Sequence, residues 1–180
     1  TIWGGEILLA TPYSFTRAAH VKTVALPGGG KAVREPWRMA FSWLLAAYGD
    51  TGNMPDIPSL SQASPAELDI LARACGSCVN CPDTTSLGRL FDAAASLLDI
   101  RHISTFEGQA AIMLDLAAAF ASAPGQVLPY AISETRPDTH AVSYPALHGV
   151  LSKAAIPPAP ETDTVYVMDY TSTVKALVEG

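Results

Sequence analysis

Along the middle of the chain, apolar residues recur every three and four positions, the spacing of helices that bury one face. In "TTSLGRLFDAAASLLDI", residues 84–100, Leu87, Leu90, Phe91, Ala94 and Leu98 share one face of a helix predicted over 84–99. Asp92 falls off that stripe, on the flank that carries Gly88 one turn earlier. Gly88 has no side chain, so the carboxylate there is either solvated or open to contact with a ligand. "REPWRMAFSWLLAAYG" has Pro36 in its first turn and Gly49 past its last, the expected asymmetry of helix ends, with Trp37, Ala40, Phe41, Leu44 and Tyr48 as its core stripe. A polar loop over 50–65 precedes a short helix over 65–74. "STFEGQAAIMLDLAAAFASAPG" opens with Ser104 and Glu107 at capping-box spacing and ends in Pro124 and Gly125. Its free N-terminal amides, with Gly108 beside them, leave backbone open to an anion or a ring.

Near the N-terminus the helical period gives way to strands. "EILLATP" and "FTRAAHVKTVAL" read as two strands joined by a turn at residues 12–14, a hairpin edge over 1–27. "PGGGK" is a flexible connection and not a phosphate loop, because Lys31 is followed by Ala32 where that motif needs Ser or Thr. Residues 31–125 form the helical part, and 126–180 read as loop-rich with one strand, "TVYVMDY", a Pro-rich stretch at 156–160 and a helix from Ser172. The pattern predicts an α+β, mainly helical fold. A lone hairpin leaves unpaired edges, which predicts pairing with a neighbouring copy in a homodimer or with the strand around Val165 to Met168.

Composition narrows the class. The chain has 180 residues, 49% hydrophobic and 16% charged, enough to bury a core. No apolar run approaches the roughly 20 residues of a membrane span, and no basic leader precedes one. The expectation is a cytoplasmic piece of a longer protein, since it starts without Met and ends in what reads as an interrupted helix. A net charge of −6, with no basic cluster, argues against nucleic acid. All three cysteines, Cys75, Cys78 and Cys81, fall in "CGSCVNC". Three such thiolates can share a metal if a histidine completes the set, but the spacing lacks the fourth cysteine or second ligand pair of the usual sites; reduced thiols in a turn, with no metal, are the expectation. His140 and His148 share no regular face, and no Gly-x-Ser-x-Gly elbow or catalytic triad can be argued. These residues alone name no reaction.

Four stretches in order, "WGGEILLA", "LPGGGKAVREPWRMA", "CPDTTSLGRLFDAAASLLDI" and "TFEGQAAIMLDLA", resemble successive signatures of the HypF carbamoyltransferases, most strongly over 3–47 and 80–120. The resemblance implies part of an actin/hexokinase-like (ASKHA) transferase domain, one of four units that include an acylphosphatase-like domain, a zinc-finger region and an adenylate-forming domain. It implies ATP or carbamoyl-adenylate as ligand and, as partner, a maturation protein whose C-terminal cysteine accepts the carbamoyl group on the way to the cyanide ligands of nickel-iron hydrogenase. In that family a helix opens with Gly-x-x-Phe-Asp, here Gly88, Arg89, Leu90, Phe91 and Asp92, and its Asp lies at the nucleotide. On the same ground Gly4, Gly5 and Glu6 lie near phosphates, and Glu107 and Gly108 against adenosine. Met113 departs from the family, where an acidic residue is common. The family's metal motif and glycine phosphate loop are implied before Thr1 and after Gly180, so the chain by itself is expected to be inactive. The other class of reading is a helical docking module in which Arg89 and Asp92 are an exposed pair worth little.

Overall fold

The computed structural model describes residues 2–11, 14–121, 128–135 and 164–179. In chain order these form β1 (Glu6–Ala10), β2 (Phe15–Val21), β3 (Val24–Ala25), α1 (Lys31–Arg34), α2 (Pro36–Tyr48), α3 (Pro65–Gly76), β4 (Asp83–Thr84), α4 (Leu87–Leu97), α5 (Gln109–Ala119), β5 (Ala131–Thr135), β6 (Val165–Asp169) and α6 (Thr171–Glu179). The main sheet has the order β1-β2-β6-β5. β1 runs antiparallel to β2, with Glu6 opposite His20 and Ala10 opposite Phe15, and a register shift after Ile7. β2 runs parallel to β6, Val21 opposite Met168, so the sheet does pair with the strand anticipated around Val165 to Met168. β5, antiparallel to β6, is a second strand in a region read as holding one. "FTRAAHVKTVAL" breaks at Lys22 and Thr23; its end is β3, paired with β4.

The core sits between this sheet and three helices. α2 is its axis, packed on α4 and α6. The predicted stripe of α2 is too narrow: Met39, Phe41, Trp43 and Leu44 are all at most 1% exposed, because both α4 and α6 pack on α2. Each such side chain contributes roughly 1.5–3 kcal/mol by leaving water. Tyr48 is only partly buried and donates its hydroxyl to Glu179 at 2.6 Å. Two 3-10 turns shape the loop before α3, which Ser64 and Glu67 start with a reciprocal capping box.

Two expectations fail here. Phe91 is 48% and Leu98 44% exposed, whereas Arg89, Asp92, Ala93, Ala95, Ser96 and Leu97 are buried. α4 therefore turns inward the face opposite the leucine and phenylalanine stripe. Small side chains let α4 approach α2 closely, and Leu87 and Leu90 pack only at the margin. The pair of Arg89 and Asp92 is thus not an exposed one. The second concerns α5, which begins at Gln109 and not at Ser104, without a side-chain cap from Ser104 or Glu107. Gly108, at φ +76°, supplies the left-handed turn into the helix, and Gln109 Oε1 accepts from the Thr105 amide at 2.8 Å in place of a capping box. Among the described residues, no helix is long and apolar enough to cross a membrane.

Candidate functional site

Residues 2–6 run beside the segment that leads into α4. The Thr85 amide and the Thr84 hydroxyl both donate to the Ile2 carbonyl, at 2.9 and 2.8 Å. Gly5 allows this closeness: a Cβ there would lie 2.3 Å from the Thr85 carbonyl oxygen and 2.7 Å from Val21 Cγ2. Gly4 and Gly88 both flank the Ser86 hydroxyl, at 3.3 and 3.5 Å from where their Cβ atoms would be, and beyond its own helix no other described residue comes within 4 Å of the Gly88 position. Five residues singled out in the sequence, Gly4, Gly5, Glu6, Gly88 and Arg89, thereby meet residues 84–86, the Arg89 amide donating to the Ser86 carbonyl at 3.1 Å.

Glu6 ties the two segments together. One carboxylate oxygen accepts from the Gly4 and Gly5 amides, at 2.6 and 2.8 Å. The other accepts from Arg17 Nη2 at 2.8 Å and from the Thr85 hydroxyl. Burial pushes the carboxyl upward, but the Thr85 hydroxyl, the Gly4 amide and Arg17 together outweigh it and hold Glu6 below the usual carboxylate range. Arg17 also lies over the Trp3 ring, 4.5 Å from its centroid.

One turn into α4 the balance is reversed. Arg89 Nη2 approaches Asp92 Oδ2 at 3.0 Å, with the side chains 10% and 4% exposed. The contact is not aligned as a hydrogen bond: Asp92 Oδ2 has no hydrogen-bond donor, and Arg89 Nε and Nη1 have no acceptor among the described residues. Burial pushes the Asp92 carboxyl above its ordinary range, and the neighbouring Arg89 charge offsets only part of that. Buried polar groups are ordinarily satisfied, so this pair has capacity for donors and acceptors that the described residues do not provide.

Glu107 and Gly108 lie elsewhere. Glu107 lines a cleft of about 420 Å³ with Val33, Arg34, Ser104, Thr105 and Phe106, into which none of residues 88–92 reaches. The cleft walls are held together by the Ser104 amide, which donates to the Arg34 carbonyl at 2.7 Å. Met113 is on α5, partly buried. His140 and His148 lie outside the described residues, as does the end of the stretch read through Pro124 and Gly125.

Sequence reasoning missed one arrangement. His102 bridges Asp99 Oδ1 at 2.7 Å and the Ser96 hydroxyl at 2.8 Å, and Ser96 meets Ser59 at 3.1 Å. Contacts of the Ser-His-Asp type are present, but Ser96 is 0% exposed and Asp99 faces solvent, the inverse of what nucleophilic attack requires. The line instead fastens the end of α4 to the loop before α3. Its only sequence signal was the spacing of Ser96, Asp99 and His102 at three-residue intervals.

A family model described as "Carbamoyltransferase, Kae1-like Domain, second subdomain", of the HypF proteins, matches residues 1–164. The chain belongs to the HypF carbamoyltransferase family. It is 41% identical over 121 residues to a carbamoyltransferase HypF homolog of Cupriavidus necator, covering 66% of this chain and 30% of that protein. It is also 40% identical over 112 residues to carbamoyltransferase HypF of Rhizobium leguminosarum bv. viciae, covering 62% of this chain and 14% of the relative. Its fold matches the crystal structure of full-length HypF in the phosphate- and nucleotide-bound form with a TM-score of 0.67 and 26% identity, over 98% of this chain and 22% of that one. HypF of T. kodakarensis matches with a TM-score of 0.59 at 25% identity, over 71% of this chain and 18% of that one. The chain spans less than a third of the length of the HypF relatives named here.

Proposed function

We propose that this chain supplies one wall of the nucleotide site of a HypF-type carbamoyltransferase, in a domain of the actin/hexokinase-like class. The ligand is ATP or carbamoyl-adenylate, and the full-length enzyme passes the carbamoyl group to the C-terminal cysteine of a maturation partner, toward the cyanide ligands of nickel-iron hydrogenase. The observation that carries the reading is Asp92: a buried carboxylate whose Oδ2 finds no donor among the described residues, beside the flank of Gly88, which those residues leave open. Ribose hydroxyls are donors of the kind it lacks, and a charge-assisted hydrogen bond is roughly twice as strong as a neutral one. Arg89 Nε and Nη1 offer complementary capacity for anionic oxygen. Glu6 acts as a positioning residue, occupying the Gly4 and Gly5 amides and holding that segment against Thr85. The wall is formed by residues 4–6 and 88–92, while Glu107 lines the separate cleft beside Arg34. Metal ligands for orienting phosphates belong to other parts of the enzyme, so the chain alone turns nothing over.

Titration of the intact enzyme with ATP tests this. Asp92→Asn is expected to weaken nucleotide binding by about 1.5–3 kcal/mol, on the order of tenfold to a hundredfold. Gly88→Leu fills the open flank without touching the core and is expected to weaken it comparably. Wild-type affinity in both variants sinks the proposal. A docking role has its own support in α5, where Ile112, Leu116 and Phe120 form an exposed apolar stripe. Under that reading Leu116→Asp abolishes partner binding and neither Gly88 nor Asp92 variant changes ATP affinity.

A further inference from the structure

Three cysteines lie close together between the end of α3 and the start of β4. α3 is held loosely: none of its residues is fully buried, and Ile70 is 58% exposed. Cys75 sits in its last turn, half-buried, while Cys81 is 2% exposed just ahead of β4, where the Leu26 amide anchors the chain on the Pro82 carbonyl at 2.8 Å. Between them the chain turns through left-handed backbone at Cys78 and Asn80, with φ of +55° and +51°. This turn brings Cys75 Sγ to 3.9 Å from Cys81 Sγ and leaves Cys78 exposed to solvent. Sulfur atoms at that separation are in van der Waals contact, and a lightly packed helix end can give the further movement a bond requires. Among the described residues no group of three ligands is placed to hold a metal, so the trio is arranged as a pair plus an exposed thiol.

We propose that Cys75 and Cys81 form a reversible dithiol/disulfide site for low-molecular-weight disulfides such as oxidised glutathione, with Cys78 as the thiol that meets the oxidant. The Cys78 thiolate attacks one sulfur of the oxidant, forming a mixed disulfide and releasing one small thiolate. Cys75 then attacks the Cys78 sulfur and releases the second, and Cys81 attacks Cys75, returning Cys78 to its thiolate. The net change is two protein thiols oxidised by two electrons and one small disulfide reduced to two thiols, which take up the protons of Cys75 and Cys81. Burial, together with the nearby Cys81 and Cys78, pushes the Cys75 thiol up to about 12, which disfavours it as the first attacker and gives exposed Cys78 that part. In the oxidised state the end of α3 is stapled to the strand that leads into α4.

The test incubates the full-length enzyme with oxidised glutathione, blocks free thiols with one alkylating reagent, then reduces and labels with a second. Trypsin leaves all three cysteines on one peptide, residues 74–89, whose fragmentation places the labels. The expected result is the first label on Cys78 and the second on Cys75 and Cys81, with no retained glutathione. Cys75→Ser should abolish the protected pair, and Cys78→Ser should slow its formation by about tenfold while reaching the same end point. Cys75 is only half-buried, so its serine variant is informative even if Cys81→Ser fails to fold. Glutathione retained on Cys78 with Cys75 and Cys81 free, or all three thiols free, overturns the proposal. So does protection of all three by zinc alone.

Discussion

Asp92 and Glu6 are both buried carboxylates beside an arginine, yet their environments act in opposite directions. Glu6 has an acceptor role for every oxygen, whereas Asp92 has a cation without aligned donors. A carboxyl with a higher pKa folded than unfolded contributes most to stability below the ordinary carboxylate pKa, and that contribution is lost as pH rises through the folded value. Ionised Asp92 therefore costs the fold stability at neutral pH. Asp92→Asn should unfold in urea at least as late as wild type at neutral pH, with the advantage vanishing in acid. Arg89→Met removes the larger of the charges that offset burial and should cost about 3–5 kcal/mol. Earlier unfolding of Asp92→Asn at neutral pH, by more than about 1 kcal/mol, would mean that pairing with Arg89 outweighs burial. A side chain whose charge the fold accommodates poorly is consistent with a role toward a ligand.

At the scale of elements, existence was easier to read than orientation. Gly49 marked the end of α2 and Pro36 lay near its start, and Pro65 opened α3 as expected. The inward face of α4 could not be read, because alanines, a serine and a paired charge carry no hydrophobic signal although they pack as tightly as leucine when a neighbouring helix comes close. The same limit applied to the site: the motif positions of residues 4–6 and 88–92 were visible, but their meeting depends on Gly5 lying under the Thr85 carbonyl, a long-range contact without a local pattern. β5 was missed since its polar Ser133 and Glu134 give no clean alternation. The orientation of α4 can be tested by a matched pair of variants. Ala93→Leu should lower stability by about 1–3 kcal/mol by overpacking against α2, while Phe91→Ser should change it by less than about 0.5 kcal/mol. The opposite order, measured by urea midpoints, would restore the leucine and phenylalanine stripe as the core face.

In the whole molecule, the sheet closes on segments far apart in the chain, and one small cluster joins them. Lys22 Nζ meets Asp169 Oδ2 at 2.9 Å across 147 positions, and the Lys22 amide donates to the Met168 carbonyl at 2.8 Å. Asp169 Oδ1 accepts from the Thr171 amide at 2.9 Å, so the same carboxylate ends β6, starts α6 and anchors β2. α6 then carries Val174, 1% exposed, into the core against α2. Burial alone would push Asp169 upward, but Lys22 and Thr171 outweigh it, and its carboxyl lies below the ordinary range. A carboxyl of that kind stabilises the fold above its unfolded pKa, and the stabilisation is lost as pH falls through the lower folded value. Acid should therefore weaken the joint between β2, β6 and α6. Asp169→Asn is expected to unfold earlier than wild type at neutral pH and to show a flatter loss of urea midpoint on acidification. Parallel midpoint curves for the two proteins from pH 7 down to pH 3 would show that the joint is held by backbone pairing and Val174 packing, with Asp169 a bystander.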